Sequence, residues 1–187
     1  MKHALKTLFR RRWFALLLCI VGVVASTLLN TRVGLGGKSD DVIDRFYDSS
    51  LGENCISTQL GNLYKATTGL TSIAGHYNLD SSAANSASEQ LESTLKSSYG
   101  KAGVLYADYK TLLAAADELI ARLDAASLSK RDSENLELYS TTIADSQSAI
   151  ERSDYNGLVR DFLRENSRFP AGGFAAFAGV RMPELFQ

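Results

Sequence analysis

From Trp13 to Leu29 the sequence reads WFALLLCIVGVVASTLL, seventeen residues without a charge, directly after a triple arginine. A run of this length and polarity belongs in a membrane. As a helix it reaches about 25 Å, at about 1.5 Å per residue, and falls short of a hydrocarbon core of roughly 30 Å until Asn30, Thr31 and Val33 extend it. Lys2, Lys6, Arg10, Arg11 and Arg12 precede the run, and only Arg32 and Lys38 closely follow it. That bias predicts a cytoplasmic N-terminus, a single pass anchored in the bilayer through Trp13–Leu29, and an extracytoplasmic remainder. Cleavage after Val23-Val24-Ala25 is the competing outcome and would release a secreted domain. A lipoprotein signal is disfavoured because Cys19 follows three leucines rather than a small residue. Arg11-Arg12-Trp13-Phe14 matches the core of a twin-arginine signal, a match read as chance.

The remaining residues are of a number that suits one globular domain. Residues 1–37 hold six basic side chains and no acidic one, so the net charge of −1 leaves −7 on residues 38–187. This is not a nucleic-acid-binding balance. Cys19 lies in the apolar run and Cys55 is the only cysteine beyond it, which excludes a disulfide within the outer domain and makes packing its source of stability. Cys55 reads as a small buried side chain rather than a reactive thiol.

Both prolines, Pro170 and Pro183, fall in the last eighteen residues, so long helices are permitted over everything before them. Gly34, Gly36 and Gly37 read as a flexible joint that divides the chain into a tip, anchor and linker at 1–37 and a helical domain at 38–187, with Ser39-Asp40-Asp41 capping the domain's first helix. Val42, Phe46, Ile56, Leu60, Leu63, Leu70, Ala74 and Tyr77 recur at steps of three and four, a helical stripe interrupted near residues 49–54. Gly61, Gly69 and Gly75 each cost such a helix about 1 kcal/mol relative to alanine and invite a neighbouring backbone to approach. Ser86-Ala87-Ser88-Glu89 fits a capping box opening a second helix. It would run from Leu91 through Leu105, Leu112 and Leu119 to Ala126, weakest at Gly100 and Gly103. After a polar connection at 127–132, Leu136, Ile143, Ile150, Tyr155, Leu158 and Phe162 define a third. The expectation is an all-α chain: a transmembrane helix followed by an antiparallel bundle of three to four long helices.

Past Asn166 the composition turns to Phe169-Pro170-Ala171-Gly172-Gly173-Phe174-Ala175-Ala176-Phe177-Ala178-Gly179-Val180. Proline ends the helix. The rings of Phe174, Phe177 and Phe186 are expected to fill a groove at the end of the bundle, with a membrane-surface segment as the alternative.

Tyr155-Asn156, Val159-Arg160 and Phe162, followed by Phe169-Pro170, Ala175, Phe177, Gly179 and Phe186, resemble the closing motif of the bacterial LemA family. Leu60, Tyr64, Leu70 and Tyr77 resemble the leucine and tyrosine positions of that family's first long helix, although Lys65 to Gly69 replace its central residues. The resemblance implies a membrane-anchored antiparallel helical bundle and no particular biochemical activity.

No constellation in the sequence carries catalytic chemistry, and neither a catalytic residue, a metal site nor a cofactor is expected. His76 is the outer domain's one histidine, and about 30 Å of helix would separate it from Cys55. Asp40-Asp41 and Asp117-Glu118 point their carboxylates in different directions. No glycine-rich loop follows a strand. Arg152, Arg160, Arg164 and Arg168 would line one helix face, paired with Glu151, Asp154, Asp161 and Glu165. Asn156 and Arg160, one turn apart, are the first candidates for a specific hydrogen-bonding role. Tyr155, Asn156, Arg160, Phe162, Phe169, Pro170 and Phe177 together form the candidate interaction or structural motif. The function expected is that of an anchored extracytoplasmic scaffold engaging an envelope protein or its own copies. The alternative is a binding module for an anionic lipid, a cell-wall polymer or a small molecule.

Overall fold

The computed structural model describes residues 2–47, 55–166, 173, 175 and 177–187. Among them the regular structure is entirely helical: α1 (Lys2–Tyr47), α2 (Ile56–His76), α3 (Ser82–Ser97), α4 (Ala102–Asp124), α5 (Lys130–Glu151) and α6 (Tyr155–Asn166). The chain divides into two compact units, one of residues 1–40 with 162–182, the other of residues 41–161 with 183–187.

In the first unit α1 carries the apolar run, with none of its residues buried, on a helix long enough to cross a membrane. It continues without interruption through Gly34, Gly36 and Gly37, so the expected joint is helical. Glycine keeps both backbone hydrogen-bonding groups, so it weakens a helix without cutting its ladder as proline would. Near the end of this unit's share of α1, Leu35 and Ser39 are buried, and the Ser39 hydroxyl donates to the carbonyl of Arg181.

The second unit is built around α2, whose Leu60, Leu63, Ala66, Thr67, Leu70, Ile73 and Ala74 are buried. It packs against α3, α4 and α5, and α3 packs against α4. Leu112 and Leu119 of α4 and Ile143 and Ile150 of α5 are buried with them. Of the helix glycines read as sites of close approach, only Gly69 is one. A Cβ there would lie 2.4 Å from Cζ of Tyr139, so α5 lays a tyrosine ring, not its backbone, on α2; nothing stands within 4 Å at Gly61 or Gly75.

The two later helices read as long are each divided. The second begins at Ser82, four residues before the expected box, where the Asp80 carboxylate accepts from both the backbone N–H and the hydroxyl of Ser82. It ends at Ser97, and α4 begins at Ala102. Between them Gly100 takes a left-handed φ of 81°, a conformation costly to residues with a Cβ. The Tyr47 hydroxyl secures the break by accepting from Gly100 N–H at 3.1 Å and donating to Ser98 O at 3.0 Å. The expected third helix stops at Glu151 and resumes at Tyr155. The change of phase brings Val159 into the core and leaves Leu158 half-buried, against the reading of Leu158 as core.

A polar latch joins the end of α2 to the start of α5. Tyr77 donates its hydroxyl proton to Asp132 at 2.7 Å and accepts from Ser129 N–H at 2.7 Å, while the Ser129 side chain caps α5 through Asp132 N–H. Hydrogen bonds from Tyr77 and then Ser129, with the nearby imidazole of His76, hold the Asp132 carboxyl below its ordinary pKa.

Candidate functional site

The chain's last five residues belong to the second unit as a strap without regular structure, and the start of α6 supplies groups that hold it. Serine and aspartate at Ser153-Asp154 favour a new helix start, and Ser153 Oγ accepts from Tyr155 N–H at 3.3 Å. Tyr155 and Asn156 are therefore in the first turn of α6, where side chains project toward whatever crosses the helix end.

Asn156 acts on the strap as a backbone mimic. Its Oδ1 accepts from Phe186 N–H and its Nδ2 donates to Phe186 O, both at 2.8 Å. A primary amide offers a donor and an acceptor side by side, and here both atoms bond one residue of the strap. The Tyr155 hydroxyl donates to Glu184 O at 2.9 Å, and Arg160 donates to Gln187 Oε1 at 3.1 Å. From the other side Gly103 N–H donates to the Glu184 carboxylate at 3.3 Å.

These bonds seat the Phe186 ring, 4% exposed, in an aromatic cluster. Its centroid lies 5.1 Å from Tyr106, edge to face, and 5.5 Å from both Phe46 and Tyr109; Phe46 in turn meets Tyr155 edge to face at 5.1 Å. Such geometries suit the ring quadrupole and add to the gain from burial. Burial pushes the hydroxyl of Tyr109 up to about 12, with the nearby Glu151 and Tyr106 adding to the shift, and burial likewise raises that of Tyr155.

Beside the strap opens a cleft of about 290 Å³ lined by Tyr106, Tyr109, Lys110, Gln147, Glu151 and Asn156 among others. Gln147 donates to Glu151 at 3.1 Å, so two of the polar groups on its wall are engaged with each other.

The other motif residues are dispersed. Phe162 is buried and belongs to the first unit. Phe169, Pro170 and Phe174 lie outside the described residues, as does Arg168. Phe177, expected in a groove, is 83% exposed; among the described residues of its segment the small Ala175 and Ala178 are buried. The reason is local geometry: the segment turns, with Val180 N–H bonded to Ala175 O, and Ala175 and Ala178, three residues apart, share a buried face that Phe177 does not. The arginine face is also interrupted, because Arg152 caps the end of α5, where its Nε donates to Ser148 O, and is off α6 altogether.

Cys55 and His76 stand at opposite ends of α2, about 30 Å apart, with Cys55 buried and its Sγ 2.9 Å from Thr58 Oγ1. Among the described residues no three histidine, cysteine or acidic side chains gather as metal ligands would. Sequence reasoning missed Tyr47, Tyr106 and Glu184; the tyrosines fell outside the apolar stripes, and Glu184 acts partly through its backbone carbonyl. The chain matches no protein-family profile, no characterised protein and no solved structure.

Proposed function

We propose that this protein is a membrane-anchored scaffold: the apolar part of α1 spans the bilayer, the basic N-terminus stays in the cytoplasm, and the helices that follow form an antiparallel bundle outside it. The observation that carries this reading is the exposed apolar helix, with Trp13, Phe14, Leu16, Ile20 and Val23 each more than half exposed. Water tolerates scattered apolar side chains but not a continuous sleeve of them, and lipid removes the cost. The antiparallel arrangement is supported by the short connections at residues 77–81 and 125–129. Kinship with the LemA family belongs to the same reading and rests on the residues of the closing motif.

A scaffold rather than an enzyme is favoured because the motif's polar groups are spent on the chain itself: Asn156, Tyr155 and Arg160 all bond the strap. The test is topological. Alkaline extraction should leave the protein in the membrane pellet, and protease added to intact spheroplasts should remove everything beyond the anchor. Protection of the C-terminal domain, or its appearance in the medium beginning near Ser26, would refute the arrangement. A second reading, a binding module, is favoured by the cleft beside Tyr109. A ligand held there should raise the melting temperature of the wild type and lose that effect in Lys110→Ala.

A further inference from the structure

Among the described residues beyond residue 40, Phe177 is the most exposed aromatic side chain. At 83% exposed it stands further into solvent than Tyr99, Val104 or Leu138, the other large apolar side chains that remain exposed beyond residue 40 among the described residues. One exposed ring is ordinary on a protein surface. What sets this one apart is where its segment is tied. Ser39 of α1 holds the carbonyl of Arg181, four residues beyond Phe177, and Val180 N–H closes a turn onto Ala175 O at 3.0 Å. Ala175 and Ala178 are buried, so Phe177 points away from the protein on a segment fastened to α1.

Ser39 stands six residues beyond Val33, the last apolar residue of the extended run, or about 9 Å along the helix. The interfacial zone on each side of the hydrocarbon core is about 5–8 Å deep. Four residues of chain reach at most about 13 Å, and the turn shortens that, so Phe177 is kept within reach of the zone where headgroups meet acyl chains. The sequence between Arg168 and Arg181 has no charge, and on α1 Arg32 and Lys38, against Asp40, stand on the same stretch of the unit as basic groups suited to lipid phosphates. An aromatic side chain with basic neighbours is the composition of an interfacial contact.

We propose that the turn formed by residues 177–181 lies on the outer face of the membrane beside α1 and inserts Phe177 into the lipid, giving the chain a second point of contact with the bilayer. The inference rests on the reading of α1 as the membrane anchor. Its consequence is mechanical. A lone helix leaves the domain free to tilt, whereas a second contact holds the membrane-proximal end of the protein against the surface.

The chain's single tryptophan, Trp13, allows a direct test. The full-length Trp13→Phe, Phe177→Trp variant carries its only indole at position 177, and the wild type reports on the anchor. Both are reconstituted in phosphatidylcholine vesicles with and without lipid brominated on the acyl chain near the headgroup. The inference expects bromolipid to quench both proteins and the emission at position 177 to be blue-shifted. Quenching of Trp13 with water-like, unquenched emission at position 177 overturns the surface contact and spares the anchor. Blue-shifted but unquenched emission at position 177 overturns it in favour of a covering protein surface, such as a second copy. Absence of quenching in both proteins removes the anchor and this inference with it.

Discussion

Substitution of Gly69 by alanine sets two effects of opposite sign against each other. In the interior of α2 the change removes glycine's conformational cost and should by itself stabilise the helix by about 1 kcal/mol. The new Cβ, however, would lie 2.4, 2.5 and 2.8 Å from Cζ, Cε2 and Cε1 of Tyr139, where carbon atoms ordinarily rest about 3.5–4.0 Å apart. The half-buried ring must retreat by about an ångström or swing outward and lose its contact with α2. Overpacking of this kind costs about 1–3 kcal/mol, so the net change should be a destabilisation of up to about 2 kcal/mol. Gly61→Ala, on the same helix with nothing within 4 Å, should instead stabilise by up to about 1 kcal/mol. Urea unfolding of the detergent-solubilised chain, followed by far-ultraviolet circular dichroism, measures both. Repeating the comparison in a Tyr139→Ala background removes the ring, and Gly69→Ala should then behave like Gly61→Ala. Equal stabilisation by the two alanines with Tyr139 in place would refute the close approach.

Asn156→Ala deletes both bonds to the Phe186 backbone and should cost about 1–3 kcal/mol, because the two strap groups lose their partners where water enters poorly; a melting temperature equal to wild type would show that the aromatic ring alone holds the strap. Ile143→Asp buries an unpaired charge at a position 4% exposed and should cost several kcal/mol, and an unchanged urea midpoint would place that face outside the core. Tyr109 titrates near 10 when unfolded and near 12 when folded, so stability is complete below pH 10 and declines as the pH rises from about 10 to 12; Tyr109→Phe should flatten that decline, and tyrosinate absorbance of the folded protein should show one late-titrating hydroxyl more in the wild type.

The strap illustrates how much of the site was legible. Asn156 and Arg160 stood out one turn apart, and Phe186 was recognisable as an aromatic in need of a surface. What could not be read was the pairing between them, thirty residues apart, because a backbone amide leaves no trace in the identity of its residue. The same applies to Tyr47, whose hydroxyl organises a turn more than fifty residues away. Phe177 shows the converse: its composition resembled that of Phe186, yet one ring is buried and the other exposed. Both lie in segments that are not long periodic helices, so no face was assigned before the fold existed.

Sequence alone determined the helical character of the chain, the apolar sleeve of α1 and most of the buried positions on α2, α4 and α5, since hydrophobic spacing and the absence of proline act on neighbours a turn apart. Tertiary structure decided where those helices stop. Gly34, Gly36 and Gly37 run on as helix, whereas Gly100 breaks one where a tyrosine hydroxyl meets its backbone N–H. Glycine permits either outcome at a cost of about 1 kcal/mol, so a single contact from a distant residue is enough to choose between them.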